Sequence, residues 1–188
     1  ANCKISWEYL TEILHQTKAM AKPWVSLLEI EEHAQKFLDK HNLVWAFKWY
    51  YWFPANLCLS VNDCVVHWIP NDYQLQDWDL LKIDCWVIYN GIISDAAVSV
   101  IAWWDDKNPQ WASLIKTTKD GLDIWLKEVW PWVPIYNWSS TIYDHMYSNW
   151  FTIIKVLTWH GVWLDVHEWP YIFNFKPQFF SFLQENFR

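Results

Sequence analysis

The sequence predicts an α+β fold. Two amphipathic helical segments open the chain, an Asn-Gly hairpin sits at its centre, and helices then alternate with antiparallel strand-like segments. Residues 5–20 place Ile5, Leu10, Ile13, Leu14 and Met20 near helical spacing. Lys22-Pro23 closes that helix, because proline disfavours helical backbone in the residue before it. Ser26 with Glu29 makes a capping box, and the helix it starts runs to about Asn42, burying Ile30, Ala34, Phe37 and Leu38. From Val44 to Val66, aromatic and β-branched residues read as strands and loops.

The hairpin is the strongest local signal. Leu80–Tyr89 and Ile92–Ile101 flank Asn90-Gly91, a dipeptide suited to a two-residue turn. Residues 111–129 read as a helix stopped by Pro131, and Ser139–Asn149 as another. Phe151–Leu157 and Tyr171–Phe175 read as strands. The 188 residues suit one domain, 1–188, with no repeat or linker.

Composition narrows the function. A net charge of −7 without a lysine or arginine run argues against a nucleic-acid footprint and an anionic-membrane patch. No stretch approaches the roughly 18 apolar residues of a spanning helix, and the first 22 residues carry no apolar signal core. Cys3, Cys58, Cys64 and Cys85 lack zinc-site spacing and read as reduced cytoplasmic thiols.

Nineteen tryptophans stand against three glycines. Ordinary glycine usage is about 7%. Trp78 between two aspartates, Trp68 before the Ile69-Pro70 turn, and Trp159 and Trp163 around His160 stand where a residue without Cβ is expected. UGA codons that mean glycine, read as tryptophan, produce such a pattern. The alternative, a Trp-rich binding or membrane-surface protein, lacks the amphipathic period it needs.

The hairpin also carries candidate chemistry. A two-residue turn pairs 89 with 92, 86 with 95 and 84 with 97, so Asp84 and Asp95 become diagonal neighbours on one face. Diagonal pairs lie about 7–8 Å apart at the backbone. Two such carboxylates repel unless a counter-charge joins them, and a divalent metal supplies one. The plainer reading is an aspartate decorating an exposed strand. His160 and His167 form a second candidate cluster, with His67 weaker alone. His15, His33, His41 and His145 lie on expected helices and read as surface or satisfied residues.

Several motifs occur in order. They are Tyr51-Trp52-Phe53-Pro54, Ser60-Val61-Asn62-Asp63 through His67-Trp68-Ile69-Pro70, and Asp77-Trp78-Asp79 leading to Ile83-Asp84. Ser94-Asp95-Ala96, Trp159-His160-Gly161-Val162-Trp163 and His167-Glu168-Trp169-Pro170 follow. Together they resemble the bacterial type I methionine aminopeptidases, especially where tryptophan is read as glycine. The resemblance covers nearly the whole chain.

It implies a pita-bread fold, an antiparallel curved sheet covered by helices, with two divalent ions (Co, Mn, Fe or Zn). Asp84, Asp95 and His160 match the metal ligands. His67 and His167 match the two non-ligand catalytic histidines, and Tyr50, Phe53 and Cys58 the methionine side-chain pocket. The implied activity is removal of the N-terminal methionine from nascent polypeptides by a cytoplasmic monomer, with the ribosome as a further partner. Two glutamate ligands of the family have no match: Glu168 belongs to another motif, Glu185 comes too early, and the first expected glutamate falls beyond Arg188. The expectation is therefore a chain lacking its last strands and inactive as written. A catalytically dead peptide- or ribosome-binding module and a proline-peptide hydrolase are the alternatives.

Overall fold

The computed structural model describes residues 1–103 and 108–176, so Glu185 and the tail Phe179–Arg188 lie outside the described residues. The chain divides into two compact units, one formed by Ala1–Ala112 with Val162–His167 and the other by Ser113–Gly161 with the chain from Glu168 onward.

In the first unit, α1 (Asn2–Ala19) and α2 (Leu27–Lys40) precede β1 (Val44–Trp45), a 3-10 turn at Tyr50–Trp52, β2 (Leu57–Val61), β3 (Leu80–Tyr89) and β4 (Ile92–Ile101). The capping box at the start of α2 forms as expected: the Glu29 amide donates to Ser26 Oγ and the Ser26 amide to Glu29 Oε2. Central β3 pairs antiparallel with β4 along one edge and with β1 and β2 along the other. The hairpin register is the expected one, with Tyr89 opposite Ile92, Trp86 opposite Asp95 and Asp84 opposite Ala97.

Alternation of side chains divides the sheet into two faces. Leu81, Ile83, Cys85 and Val87 join the main core with Leu10, Ile13, Leu27, Ile30 and Leu38 of the helices. The even-numbered residues of β3 point away from those helices, and Trp86 belongs to a separate apolar cluster with Phe47, Cys58, Ile93 and Val166. A buried polar contact ties α1 to the hairpin: Ser6 Oγ lies 3.1 Å from the Ile92 carbonyl and 2.9 Å from Ser94 Oγ. Glu31 of α2 secures the start of β2, accepting hydrogen bonds from the Asn56 and Leu57 amides at 2.7 and 2.9 Å.

In the second unit, α3 (Pro109–Glu128, whose first turn lies in the first unit) and α4 (Ile135–Ser148) precede the antiparallel pair β5 (Thr158–Gly161) and β6 (Glu168–Phe173). The His145 ring nitrogen Nε2 lies 3.0 Å from the Thr117 carbonyl, joining α4 to α3. At Gly161 a Cβ would lie 2.7 Å from the Trp169 carbonyl oxygen, so only glycine fits the β5–β6 approach.

The α+β class holds; the first three helices shift by up to three residues at their ends, and the elements after them depart further from expectation. The expected strand at Phe151–Leu157 is absent, and β5 starts at Thr158. Strand propensity reflects packing against a partner; 151–157 has no ladder, Val156 is exposed, and an Ile154–Leu157 turn interrupts it. Helix α4 begins at Ile135 because Pro134, with its fixed φ, precedes the first helical residue. Strand β6 runs from Glu168 to Phe173 rather than from Tyr171 to Phe175 because Gly161 pairs with Glu168 across a bulge. All four cysteines are free thiols. Among the described residues no helix is long and apolar enough to cross a membrane.

Candidate functional site

The site is built on the helix-free face of the first unit's sheet. Two short anchors position its central strand. Asp79, just before β3, accepts hydrogen bonds from Asn62 Nδ2 (2.7 Å), the Tyr73 hydroxyl (2.8 Å) and the Gln76 amide (2.8 Å). Asn62 returns an acceptor to the Leu80 amide at 2.9 Å. Local desolvation, with the contact to Asp79 adding to it, pushes the Tyr73 phenol up to about 12.

Asp84 then projects between Cys58 of β2 and Ala97 of β4, its register partners. Its diagonal neighbour is Asp95, opposite Trp86. Desolvation is the main reason the Asp84 carboxyl is pushed up to about 8, and the charge of Asp95 adds to it. Burial also raises the Cys58 thiol, the Asp84 charge contributing in the same direction. The His67 amide donates to Cys58 Sγ at 2.8 Å, which attaches the His67 loop to the same strand while its side chain stays exposed.

Aromatic residues border the carboxylates. The Tyr50 hydroxyl lies 2.7 Å from His167 Nδ1, and the two ring centroids are 5.5 Å apart. Trp86 packs against both rings. Its ring stacks on Phe47 at 4.1 Å and meets Tyr50 edge-on at 5.1 Å and His167 at 5.7 Å. Phe53 packs against Phe47 at 4.8 Å. The Trp86 indole nitrogen is buried without a hydrogen-bond partner.

Asp84, Asp95, Cys58, Tyr50, Phe53 and His167 thus share one unit, with His67 held there through its backbone. His160 belongs to the second unit, on β5, where its Nδ1 lies 3.1 Å from the Gly161 carbonyl. Among the described residues, no group of three or more His, Cys, Asp or Glu side chains is arranged to hold a metal ion. The pair Asp84–Asp95 nonetheless suits a hard or borderline divalent cation, since a cation replaces the proton that burial and their mutual repulsion retain on Asp84. Phe47 and Val166 of the apolar cluster were not singled out by the sequence. For Phe47 the available signal is its three-residue spacing with Tyr50 and Phe53.

A sheet face carrying paired carboxylates beside a tyrosine-engaged histidine and an apolar cluster suits the class of metal-dependent hydrolases. Within that class the assignment is direct: a model of metallopeptidase family M24 matches residues 2–185, and the chain belongs to this family. The methionine aminopeptidase of Clostridium perfringens (strain 13 / Type A) is 32% identical over 166 residues, covering 88% of this chain and 66% of that protein. That of Mycoplasma capricolum subsp. capricolum is 31% identical over 172 residues, covering 92% and 68%. The chain spans about two thirds of the length of these relatives. Among solved structures, the methionine aminopeptidase of Thermotoga maritima matches with a TM-score of 0.89 at 25% identity, over 94% of this chain and 70% of that one. The prolidase from Pyrococcus furiosus, at 14% identity and a TM-score of 0.76, shares the fold alone. The pita-bread fold implied by the sequence motifs is the fold of these neighbours.

Proposed function

We propose that the protein removes methionine from the N-termini of nascent polypeptides in the cytoplasm, using a divalent metal centre to which Asp84, Asp95 and His160 contribute. The observation that carries this reading is the carboxylate pair on the sheet face, with Asp84 raised to about 8. Co, Mn, Fe or Zn, when bound, would polarise the scissile carbonyl and activate water. Tyr50 engages His167 Nδ1, which orients the ring so that Nε2 can donate to the substrate carbonyl as charge develops on it. His67 meets the scissile amide or assists proton transfer. Tyr50, Phe53 and Cys58 border the pocket for the unbranched methionine side chain.

The test is calorimetric titration with Mn and methionine release from a Met-Ala-Ser peptide, compared with Asp84→Asn and Asp95→Asn. Metal binding and release that both variants lose support the proposal. Cleavage only before proline replaces it with the proline-peptide hydrolase reading. A second reading, a catalytically dead module that keeps the fold, is favoured by one observation: the Trp86 indole lies directly across from Asp95 and crowds the carboxylate face where a metal would sit. Peptide binding without metal uptake or release selects that reading.

A further inference from the structure

Among the described residues, twelve other than glycine hold a positive φ, and seven of them are tryptophans: Trp24, Trp49, Trp52, Trp78, Trp103, Trp132 and Trp150. Positive φ is a genuine outlier for a bulky side chain. Asparagine and tryptophan differ in their values, with Tyr51 at 45° and His67 at 63° between or beside them. Asn42, Asn62 and Asn90 lie at 48–52°, as asparagine tolerates. The seven tryptophans lie at 65–77°, toward the 78° of Gly91.

The surrounding hydrogen bonds show what each position requires. In Lys22-Pro23-Trp24-Val25 the Val25 amide donates to the Lys22 carbonyl at 3.2 Å, with Trp24 at φ 70°. In Trp130-Pro131-Trp132-Val133 the Val133 amide donates to the Trp130 carbonyl at 3.2 Å, with Trp132 at φ 74°. Both are proline-led turns of type II, whose third residue must take positive φ and is therefore normally glycine. Trp78 holds the same position in the turn closed from the Asp79 amide to the Gln76 carbonyl. Tyr51-Trp52, at 45° and 67°, resembles the Asn90-Gly91 pair at 48° and 78°.

Trp150 follows the Asn149 C-cap of α4. Its amide donates to the Tyr147 carbonyl at 3.1 Å, and the Phe151 amide to the Met146 carbonyl at 3.0 Å. This is a Schellman motif with tryptophan in the left-handed position that glycine usually fills. Burial does not explain the choice of side chain, because all seven tryptophans are exposed, Trp132 completely and Trp150 at 95%.

We infer that residues 24, 49, 52, 78, 103, 132 and 150 are glycine in the polypeptide the cell makes, encoded by UGA in a lineage that decodes UGA as glycine. Trp68, Trp159 and Trp163 have no positive φ and carry no such backbone signature. Backbone geometry alone carries this assignment, whatever reaction the protein performs.

The gene decides it directly: UGA codons at these seven positions support it, and UGG codons overturn it. Peptide mass mapping of the protein from its native cells is an independent test, with glycine masses for and tryptophan masses against. A third test compares melting of the chain as written with its seven-site Trp→Gly variant. The variant is expected to melt about 10 °C higher, and an unchanged or lower Tm overturns the inference. Trp7→Gly, in the interior of α1 and without positive φ, is the control and should lower Tm, since glycine weakens a helix interior.

Discussion

Trp86 on β3 lies directly across from Asp95 on β4, and its indole, stacked 4.1 Å from Phe47, fills the apolar cluster against which Tyr50 and Phe53 pack. One side chain thus belongs to both the carboxylate face and the apolar cluster. Its buried nitrogen lacks a hydrogen-bond partner, a loss of about 1–3 kcal/mol.

Trp86→Gly should therefore cost less than a typical buried aromatic truncation of about 3–5 kcal/mol. Urea unfolding measures the first effect. The space left by the indole should admit a methionine side chain, giving at least about tenfold tighter binding of a Met-Ala dipeptide, or about 1.4 kcal/mol. Fluorescence or calorimetric titration measures the second, and unchanged affinity would refute the plug.

The carboxylate pair predicts two pH effects. Asp84 holds its proton to about 8 when folded, against about 3.9 in an unfolded chain. Its folded pKa is the higher, so protonation of Asp84 favours the native state. That contribution is complete below about pH 4 and fades as pH rises toward 8. Asp84→Asn should thus stabilise the metal-free protein at pH 9 by on the order of 3 kcal/mol after solvent screening, and change little at pH 4. Denaturant titrations at both pH values check this.

A cation must displace that same proton. Mn affinity should rise by up to about tenfold per pH unit from 6 to 8 and then level, with proton release on binding. Calorimetry in buffers of different ionisation enthalpy reads both quantities. A pH-independent affinity would separate Asp84 from metal binding.

Tyr50→Phe removes the hydroxyl beside His167 Nδ1 and keeps the ring packed on Trp86. Loss of one hydrogen bond, about 1–1.5 kcal/mol, should lower kcat roughly tenfold with KM nearly unchanged, because the tyrosine acts through the histidine. Steady-state kinetics on Met-Ala-Ser separates this from a pocket role, in which KM would rise instead.

Ser6→Ala should cost about 1 kcal/mol of stability, removing the Oγ–Oγ contact in the buried junction between α1 and the hairpin while Ser94 Oγ keeps the residue-6 carbonyl at 3.1 Å as acceptor. Because the hydroxyls share that junction, adding Ser94→Ala should cost less than the sum of the single changes. Additive losses in a double-mutant cycle would contradict the coupling.

Local rules made much of the site legible. Asn90-Gly91 determined the hairpin register, and strand alternation put Asp84, Trp86 and Asp95 on one face. Ser26 and Glu29 marked the start of α2 within one turn. The apolar run at 151–157 misled because strand propensity is realised only against a partner, and none pairs there. Tryptophan at turn positions was anomalous in the sequence, and the backbone sorted Trp78 from Trp68, Trp159 and Trp163.

What the sequence alone determined are the features set within a few residues: turns, caps, the alternation of faces and the ordered motifs that mark the family. The tertiary structure decided which distant groups meet. Tyr50 reaches His167 across 117 residues, and Trp86 stacks on Phe47 and meets the His167 ring edge-on. Such contacts depend on packing between separate elements, which no short-range pattern encodes.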